Sequence, residues 1–385
     1  MEIYDEPSQY GASILKTPKP KVLILTSYTG GGHVTLAQSI KDILGDNYET
    51  DFAFPLPSII QRYYTWTERH AFNIWELSFN VTDNEHSALR IQKIVSSLIH
   101  KRLLALIEQS KPQLIISIHP FLHYSIARVN EEISQRIPLV FLLPELDYIH
   151  SAWLTEKTGD AYLMPTREIF NQALECGIDE SRLHLTGRTV REQFLEDYTT
   201  SRSATLTGLN FDPAIFTVFL QGGGEGTAGI DRTVNSMLAS DTPIQIILAT
   251  GTNKRLAARY SGIANLRVLP YVETIAPYMA AADLVAGKAG PTFMYETIML
   301  EKPFLATFYI PGQETLNLRF IERNNLGWVC LEAEAQKQLI TRLASDPGIM
   351  AEKINSIRAF RARNMQMNQG VYPLIERLVQ KQRSA

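Results

Sequence analysis

The sequence predicts an α/β protein made of two Rossmann-like domains that face a central cleft. Apolar runs of strand length alternate with segments of helical period, the pattern of parallel sheets flanked by helices. Two of those runs end in glycine triplets, Gly30-Gly31-Gly32 and Gly222-Gly223-Gly224, so each half opens with the same strand, tight turn and helix. A length of 385 residues exceeds what one core commonly supports and favours two units of similar size.

Taken in order, residues 1–20 carry acidic residues and prolines without a basic flank and apolar core, and read as a partly ordered tail rather than a targeting peptide. The first domain is placed at residues 21–198. Its opening strand, Lys21–Ser27, runs into the first triplet and a helix from about His33 to Leu44. Further strands are expected at Gln113–Ile118, Pro138–Leu143, Ala161–Met164 and Arg182–Leu185. The polar stretch Thr199–Asn210 reads as a linker, which places the boundary at residues 199–212. The second domain, residues 213–360, starts with a strand at Phe216–Leu220, followed by strands at Ile244–Thr250, Leu266–Leu269, Leu284–Ala286 and Phe304–Phe308. Residues 361–385 hold a last helix, about Val371–Gln380, which tolerates Pro373 in its first turn and is placed to pack back on the first domain.

Composition excludes some functions. A net charge of −3 leaves no excess of Lys and Arg to neutralise phosphates, so nucleic acid is not expected as a partner. Cys176 and Cys330 have neither metal-site nor redox spacing and read as reduced structural residues, which fits a cytoplasmic location. No apolar run approaches the roughly 20 residues that span a bilayer, so membrane contact, if made at the inner face of the cell membrane, is expected to be peripheral. Its candidate is the segment Phe52–Phe79, where Phe52, Phe54, Tyr63, Tyr64, Trp66, Phe72, Trp75 and Phe79 mix with Arg62, Arg69 and His70. The same aromatics equally suit a helix that buries them in a core.

The glycine triplets place unshielded backbone N–H groups where an anion approaches closely. Neither is a Walker A loop, and neither has the full dinucleotide-binding spacing. More specific is Gly287-Lys288-Ala289-Gly290-Pro291-Thr292, followed by Glu296, then Ile310-Pro311-Gly312-Gln313-Glu314 and Asn317. A strand end delivers Gly290 to a helix start at Pro291, with free N–H groups and the Thr292 hydroxyl available to a phosphate. Glu296 follows one turn later on the same face, where a carboxylate can accept both hydroxyls of a ribose. Gln313 and Glu314 can hydrogen-bond a sugar from the next loop.

These motifs resemble those of the monogalactosyldiacylglycerol synthases and the processive diacylglycerol glucosyltransferases, with the peptidoglycan lipid-intermediate glycosyltransferases more distant. The likeness covers most of residues 21–330 and rests on Thr29-Gly30-Gly31-Gly32-His33, Gly222-Gly223-Gly224-Glu225-Gly226, Lys288-Ala289-Gly290-Pro291 and Ile310-Pro311-Gly312-Gln313-Glu314 with Asn317. The resemblance implies the GT-B fold, a UDP-hexose donor, no required metal or other cofactor, and a lipid acceptor such as diacylglycerol. It implies that Gly222, Gly223, Gly224, Gly290, Pro291 and Thr292 hold the diphosphate and Glu296 the ribose, with Lys288 also at the donor site. Tyr271 and Val272, with Gly251 beside them, would take the uracil, and Gln313 and Glu314 the hexose. His33 would act as base or position the acceptor hydroxyl, with Gly31, Gly32, Asp147, His150 and Trp153 on the acceptor side. The chain departs from relatives at Tyr28 and Val34, where they often carry Asp and Arg, and at Pro144-Glu145, where they carry Thr-Asp. Two alternatives stay open: a UDP-sugar 2-epimerase, which shares the two-domain fold but takes no acceptor, and, because of Tyr28 and Val34, a silent module that binds a UDP-sugar without turning it over.

Overall fold

A computed structural model describes residues 18–27, 31–57, 72–222 and 229–384, with positions 60, 62 and 66 between the second and third stretches. The expected tail up to residue 17, Tyr28 to Gly30, Tyr63, Tyr64, Arg69, His70 and Gly223 to Gly226 lie outside the described residues.

Two six-stranded sheets form the two halves, and every pairing in both is parallel. The first joins β1 (Lys21–Leu25), β2 (Glu49–Ala53), β3 (Leu114–Ser117), β4 (Leu139–Leu142), β5 (Ala161–Met164) and β6 (Leu183–Leu185) in the order β2-β1-β3-β4-β5-β6. The second joins β7 (Phe216–Gln221), β8 (Ile244–Gly251), β9 (Leu266–Pro270), β10 (Leu284–Lys288), β11 (Phe304–Phe308) and β12 (Gly327–Val329) in the order β12-β11-β10-β7-β8-β9. The second order is that of a dinucleotide-binding Rossmann sheet. Both faces of each sheet are covered, which is why the strands read as continuous apolar runs. Val22 and Ile24 of β1 enter one core with Leu36 and Ile40, while Leu23 and Leu25 enter another with Ile99 and Leu122 on the opposite face.

Two strands escaped the sequence reading, and both are edges. β2 is Glu-Thr-Asp-Phe-Ala, whose acids take Lys21 at 2.8 Å (Glu49) and 3.2 Å (Asp51). β12 spans only Gly327–Val329. An edge strand needs no continuous apolar run, so neither leaves the signal that marks a central strand.

The stretch expected as a linker is structured. Thr199–Ser201 forms a 3-10 turn and Arg202–Gly208 a helix. Leu206 and Phe211 are buried in the second domain's core, and Arg202 pairs with Asp283 at 3.0 Å. Its Thr, Ser and Gly content masked two apolar anchors five residues apart.

The helix Ala351–Asn368 leads back from the second domain to the helix Val371–Arg383. Val371, Leu374, Ile375 and Val379 of the latter join Val22, Ile24 and Leu36 in the first domain's core. The chain therefore crosses between the domains twice, before the helix Arg202–Gly208 and again near Asn364. Among the described residues no helix is long and apolar enough to cross a membrane.

Candidate active site

The site lies where the strands of both sheets end. From the first domain, the helix Gly31–Leu44, which follows β1 in sequence, carries His33. The end of β3 brings His119, whose Nδ1 accepts the Phe121 N–H at 3.4 Å and caps the helix Pro120–Glu132. The segment after β4 brings Glu145, Asp147 and His150. From the second domain, β10 ends at Lys288 and Gly290 caps the helix Pro291–Met299 with no side-chain cap of its own.

His33 is half-buried between two rings, 6.0 Å from Trp153 in a stacked arrangement and 5.4 Å from His119. Removal from water lowers its pKa to about 4, the Arg188 guanidinium pushes the same way, and a backbone contact from Ile118 opposes both. The imidazole is therefore neutral at physiological pH, the state in which it accepts a proton. Next to it opens a cavity of about 400 Å³. Trp75, Phe79, Ile91, Val95 and Phe121 supply its apolar wall, and Glu145, His150 and Gln313 are among its polar groups.

Glu145 is buried, and its Oε1 accepts from Gln313 Nε2 at 3.4 Å across the cleft. Burial raises its pKa to about 7, against the opposing pull of Arg188. At Gly32 a Cβ would lie 3.0 Å from Thr292 Oγ1 of the opposite domain, a tight approach. The start of one helix thus meets the start of the other.

The face of the helix Pro291–Met299 that carries Thr292 and Glu296 turns toward the segment after β6. Arg188 Nη2 donates to Thr292 Oγ1 at 2.7 Å, and Arg191 Nη2 donates to Glu296 Oε1 at 2.8 Å. Glu296 is only 6% exposed, and among the described residues only its Oε1 is engaged, which leaves Oε2 as an acceptor. Burial raises the Glu296 pKa and Arg191 opposes the rise.

The structure brings most of the predicted residues together. Tyr271 N donates to the Gly251 carbonyl at 3.0 Å, so these two sit side by side at the ends of β8 and β9; Tyr271 is 72% exposed, and Val272 packs on the second core. Gly222 directly follows β7, and Gly31 lies exposed at the first helix start. His33, His150, Trp153 and Gln313 line the cavity. Two residues stand differently from the expectation. Glu314 is buried with both oxygens committed to its own domain, Oε1 to Lys288 and Oε2 to the Ile310 N–H at 2.8 Å, so it shapes the loop and leaves Gln313 facing the cleft. Asp147 does not line the cavity; it pairs with Arg323 of the second domain at 2.8 Å and ties the halves together.

Sequence reasoning passed over Arg188, Arg191 and His119. The signal was present in Gly187-Arg188-Thr189-Val190-Arg191, two cations directly after a strand end, and in a histidine ahead of the helix-starting Pro120.

The comparisons agree with this architecture. Solved structures of Anabaena HepE in complex with UDP and glucose (TM-score 0.58, 14% identity, 93% of this chain and 99% of that one) and of the kitacinnamycin glycosyltransferase (TM-score 0.63, 13% identity, 94% and 100%) share the fold. The first half matches the monogalactosyldiacylglycerol (MGDG) synthase family model over residues 34–190, and the second matches the glycosyltransferase family 28 C-terminal domain over residues 217–368. Fold, cleft and family matches define a glycosyltransferase of the GT-B class. Monogalactosyldiacylglycerol synthase 2 of Arabidopsis thaliana is 28% identical over 330 residues, 80% of this chain and 70% of the relative; synthase 3 of the same plant is 27% identical over 345, 84% and 73%. The chain is a GT-B hexosyltransferase that is similar to the MGDG synthases.

Proposed function

We propose that the protein transfers a hexose from a UDP-sugar to the free hydroxyl of diacylglycerol at a membrane surface. The observation that carries this reading is the cavity of about 400 Å³, walled by aromatic and aliphatic side chains and ending on a neutral histidine. A sugar hydroxyl needs no such wall; a hydroxyl on a glycerol backbone with acyl chains does. The relatives' names, MGDG synthases, and the UDP complexes of HepE support the same donor and acceptor classes.

In this reading the acceptor oxygen attacks the anomeric carbon as its proton passes to the His33 imidazole. The bond from that carbon to the diphosphate oxygen breaks, and its electron pair leaves with UDP. Backbone N–H groups at the start of the helix Pro291–Met299 face the departing charge, an interaction that strengthens as the bond breaks. Glu296 Oε2 takes the ribose, and Tyr271 with Val272 the uracil.

The test is incubation with UDP-galactose or UDP-glucose and vesicles containing diacylglycerol, with products read by mass spectrometry. A glycolipid is expected, and His33→Ala should abolish it while leaving UDP binding by calorimetry unchanged. An isomerised donor without any acceptor would establish epimerase chemistry instead, and UDP binding without turnover would establish a silent module. A fully active His33→Ala would remove the histidine from the mechanism.

A further inference from the structure

Arg188 carries a buried charge that no carboxylate contacts directly among the described residues. It is 3% exposed, yet among the described residues it makes no ion pair. Its guanidinium donates to the Pro144 carbonyl and to Thr292 Oγ1 at 2.7 Å, both neutral acceptors. The neighbouring carboxylates are committed elsewhere: Glu296 to Arg191 at 2.8 Å, Glu145 to Gln313 at 3.4 Å, and Glu314 to Lys288 and the Ile310 N–H. Burying an unpaired charge is costly, and native structures accept it where a ligand completes the site.

Its placement makes the imbalance larger. Thr292 is the second residue of the helix Pro291–Met299, so the guanidinium stands at a helix N-terminus, the end that disfavours a cation. That N-terminus carries no side-chain cap, and the residue before it, Gly290, is buried. Two independent features, an unpaired buried cation and an uncapped buried helix start, therefore converge on one point of the cleft. An anion there would satisfy both at once, with the fork of guanidinium donors and the amides approaching it from different sides.

We propose that Arg188 binds the diphosphate of the donor and stabilises the negative charge that UDP acquires as it leaves. The inference rests on the nucleoside-diphosphate reading above and assigns one side chain of the first half of the chain to a ligand otherwise held by the second. Arg188 reaches across the cleft from the segment after β6, so donor binding engages both domains. Its charge also bears on His33, and the incoming diphosphate would offset that influence on the base.

The experiment compares UDP, UMP and uridine binding by calorimetry for the wild-type chain, Arg188→Gln and Arg188→Lys. Loss of a charge-assisted contact should weaken UDP on the order of 10- to 100-fold in Arg188→Gln, with uridine altered less than about 2-fold. Arg188→Lys keeps the charge with a shorter reach and should fall between them; it also serves if the glutamine variant does not fold. A role confined to packing would weaken all three ligands alike. An unchanged ratio of UDP to uridine affinity in either variant overturns the assignment. Failure of the wild-type chain to bind UDP overturns the donor reading itself, which keeps the two failures apart.

Discussion

At the scale of single residues, the histidines near the cleft dominate the electrostatics. His33, His119 and His123 are all held below the ordinary imidazole range by burial, His33 at about 4 and His123 at about 3. In the unfolded chain each titrates near 6.5. Below that pH the unfolded state gains protons that the folded state refuses, so stability falls as pH drops from 6.5 toward the folded values. Glu145 works in the opposite sense. Its pKa rises from 4.5 to about 7, so its burial costs stability above pH 7 and that cost is lifted as pH falls toward 4.5. Glu296 is shifted upward like Glu145, so three imidazoles stand against two carboxyls, and the melting temperature should fall from pH 6.5 to pH 4.5. His123 offers a clean test because its ring stacks on Phe141 at 4.0 Å and does not line the cavity. His123→Phe keeps an aromatic there and should remove up to about 1.4 kcal/mol of stability loss per pH unit in that range. Urea denaturation at pH 6.5, 5.5 and 4.5 measures it; a pH profile identical to that of the wild-type chain would show that His123 is not a source of the acid sensitivity.

At the scale of elements, two helices divide their faces between cavity and solvent. The helix Phe72–Thr82 turns Trp75 and Phe79 inward, while Ile74, Leu77 and Val81 point outward, Leu77 at 64% exposure. The helix Glu85–Ser110 turns Ile91 and Val95 inward and exposes Ile94 and Leu98 between Arg90, Lys93, Lys101 and Arg102. Apolar side chains framed by cations suit the surface of an anionic bilayer, where each basic residue contributes about 1 kcal/mol. Replacing Leu77 and Leu98 with Asp should cut cosedimentation with phosphatidylserine-containing vesicles at least tenfold and leave the melting temperature within about 2 °C, since neither side chain is buried. Undiminished cosedimentation would show that this face is not what binds the vesicles. A membrane contact at Phe52–Phe79 would continue onto the basic and apolar face of the helix Glu85–Ser110, whose long 3.6-residue period follows no glycine turn. A bias toward conspicuous signals explains the gaps in the sequence reading. Central strands and helix starts were legible because burial on both faces and fixed glycine geometry leave marks in the sequence. The pairings of Arg188 with Thr292 and of Arg191 with Glu296 span about a hundred residues, and no local pattern records a contact made only when two domains meet.

At the scale of the whole molecule, a buried amide is one of the ties between the two halves. Asn364 is fully buried; its Oδ1 accepts the Arg188 N–H at 2.8 Å, and its Nδ2 donates to the Arg188 carbonyl at 2.9 Å. The preceding Gly187 has φ +67°, and a Cβ there would lie 2.5 Å from Asn364 Oδ1, so only glycine allows the approach. Along the same helix, Arg361 donates to the Met299 carbonyl at 2.8 Å and Asn368 to the Thr186 carbonyl at 2.7 Å. Ala351–Asn368 is thus a strut fastened to the second domain at one end and to the first crossing at the other. Because Asn364 grips the backbone of the residue whose side chain meets Thr292, the strut sets where the Arg188 guanidinium stands. Asn364→Leu nearly conserves volume but leaves a buried N–H and a buried carbonyl without partners, a cost of roughly 2–4 kcal/mol. The variant should lose that much stability in urea, and its UDP affinity should fall more than its uridine affinity, as for Arg188→Gln, because the displaced backbone carries the guanidinium with it. Wild-type stability in Asn364→Leu would mean that the amide is dispensable to the strut; lost stability with an unchanged UDP to uridine ratio would separate the strut from the placement of Arg188.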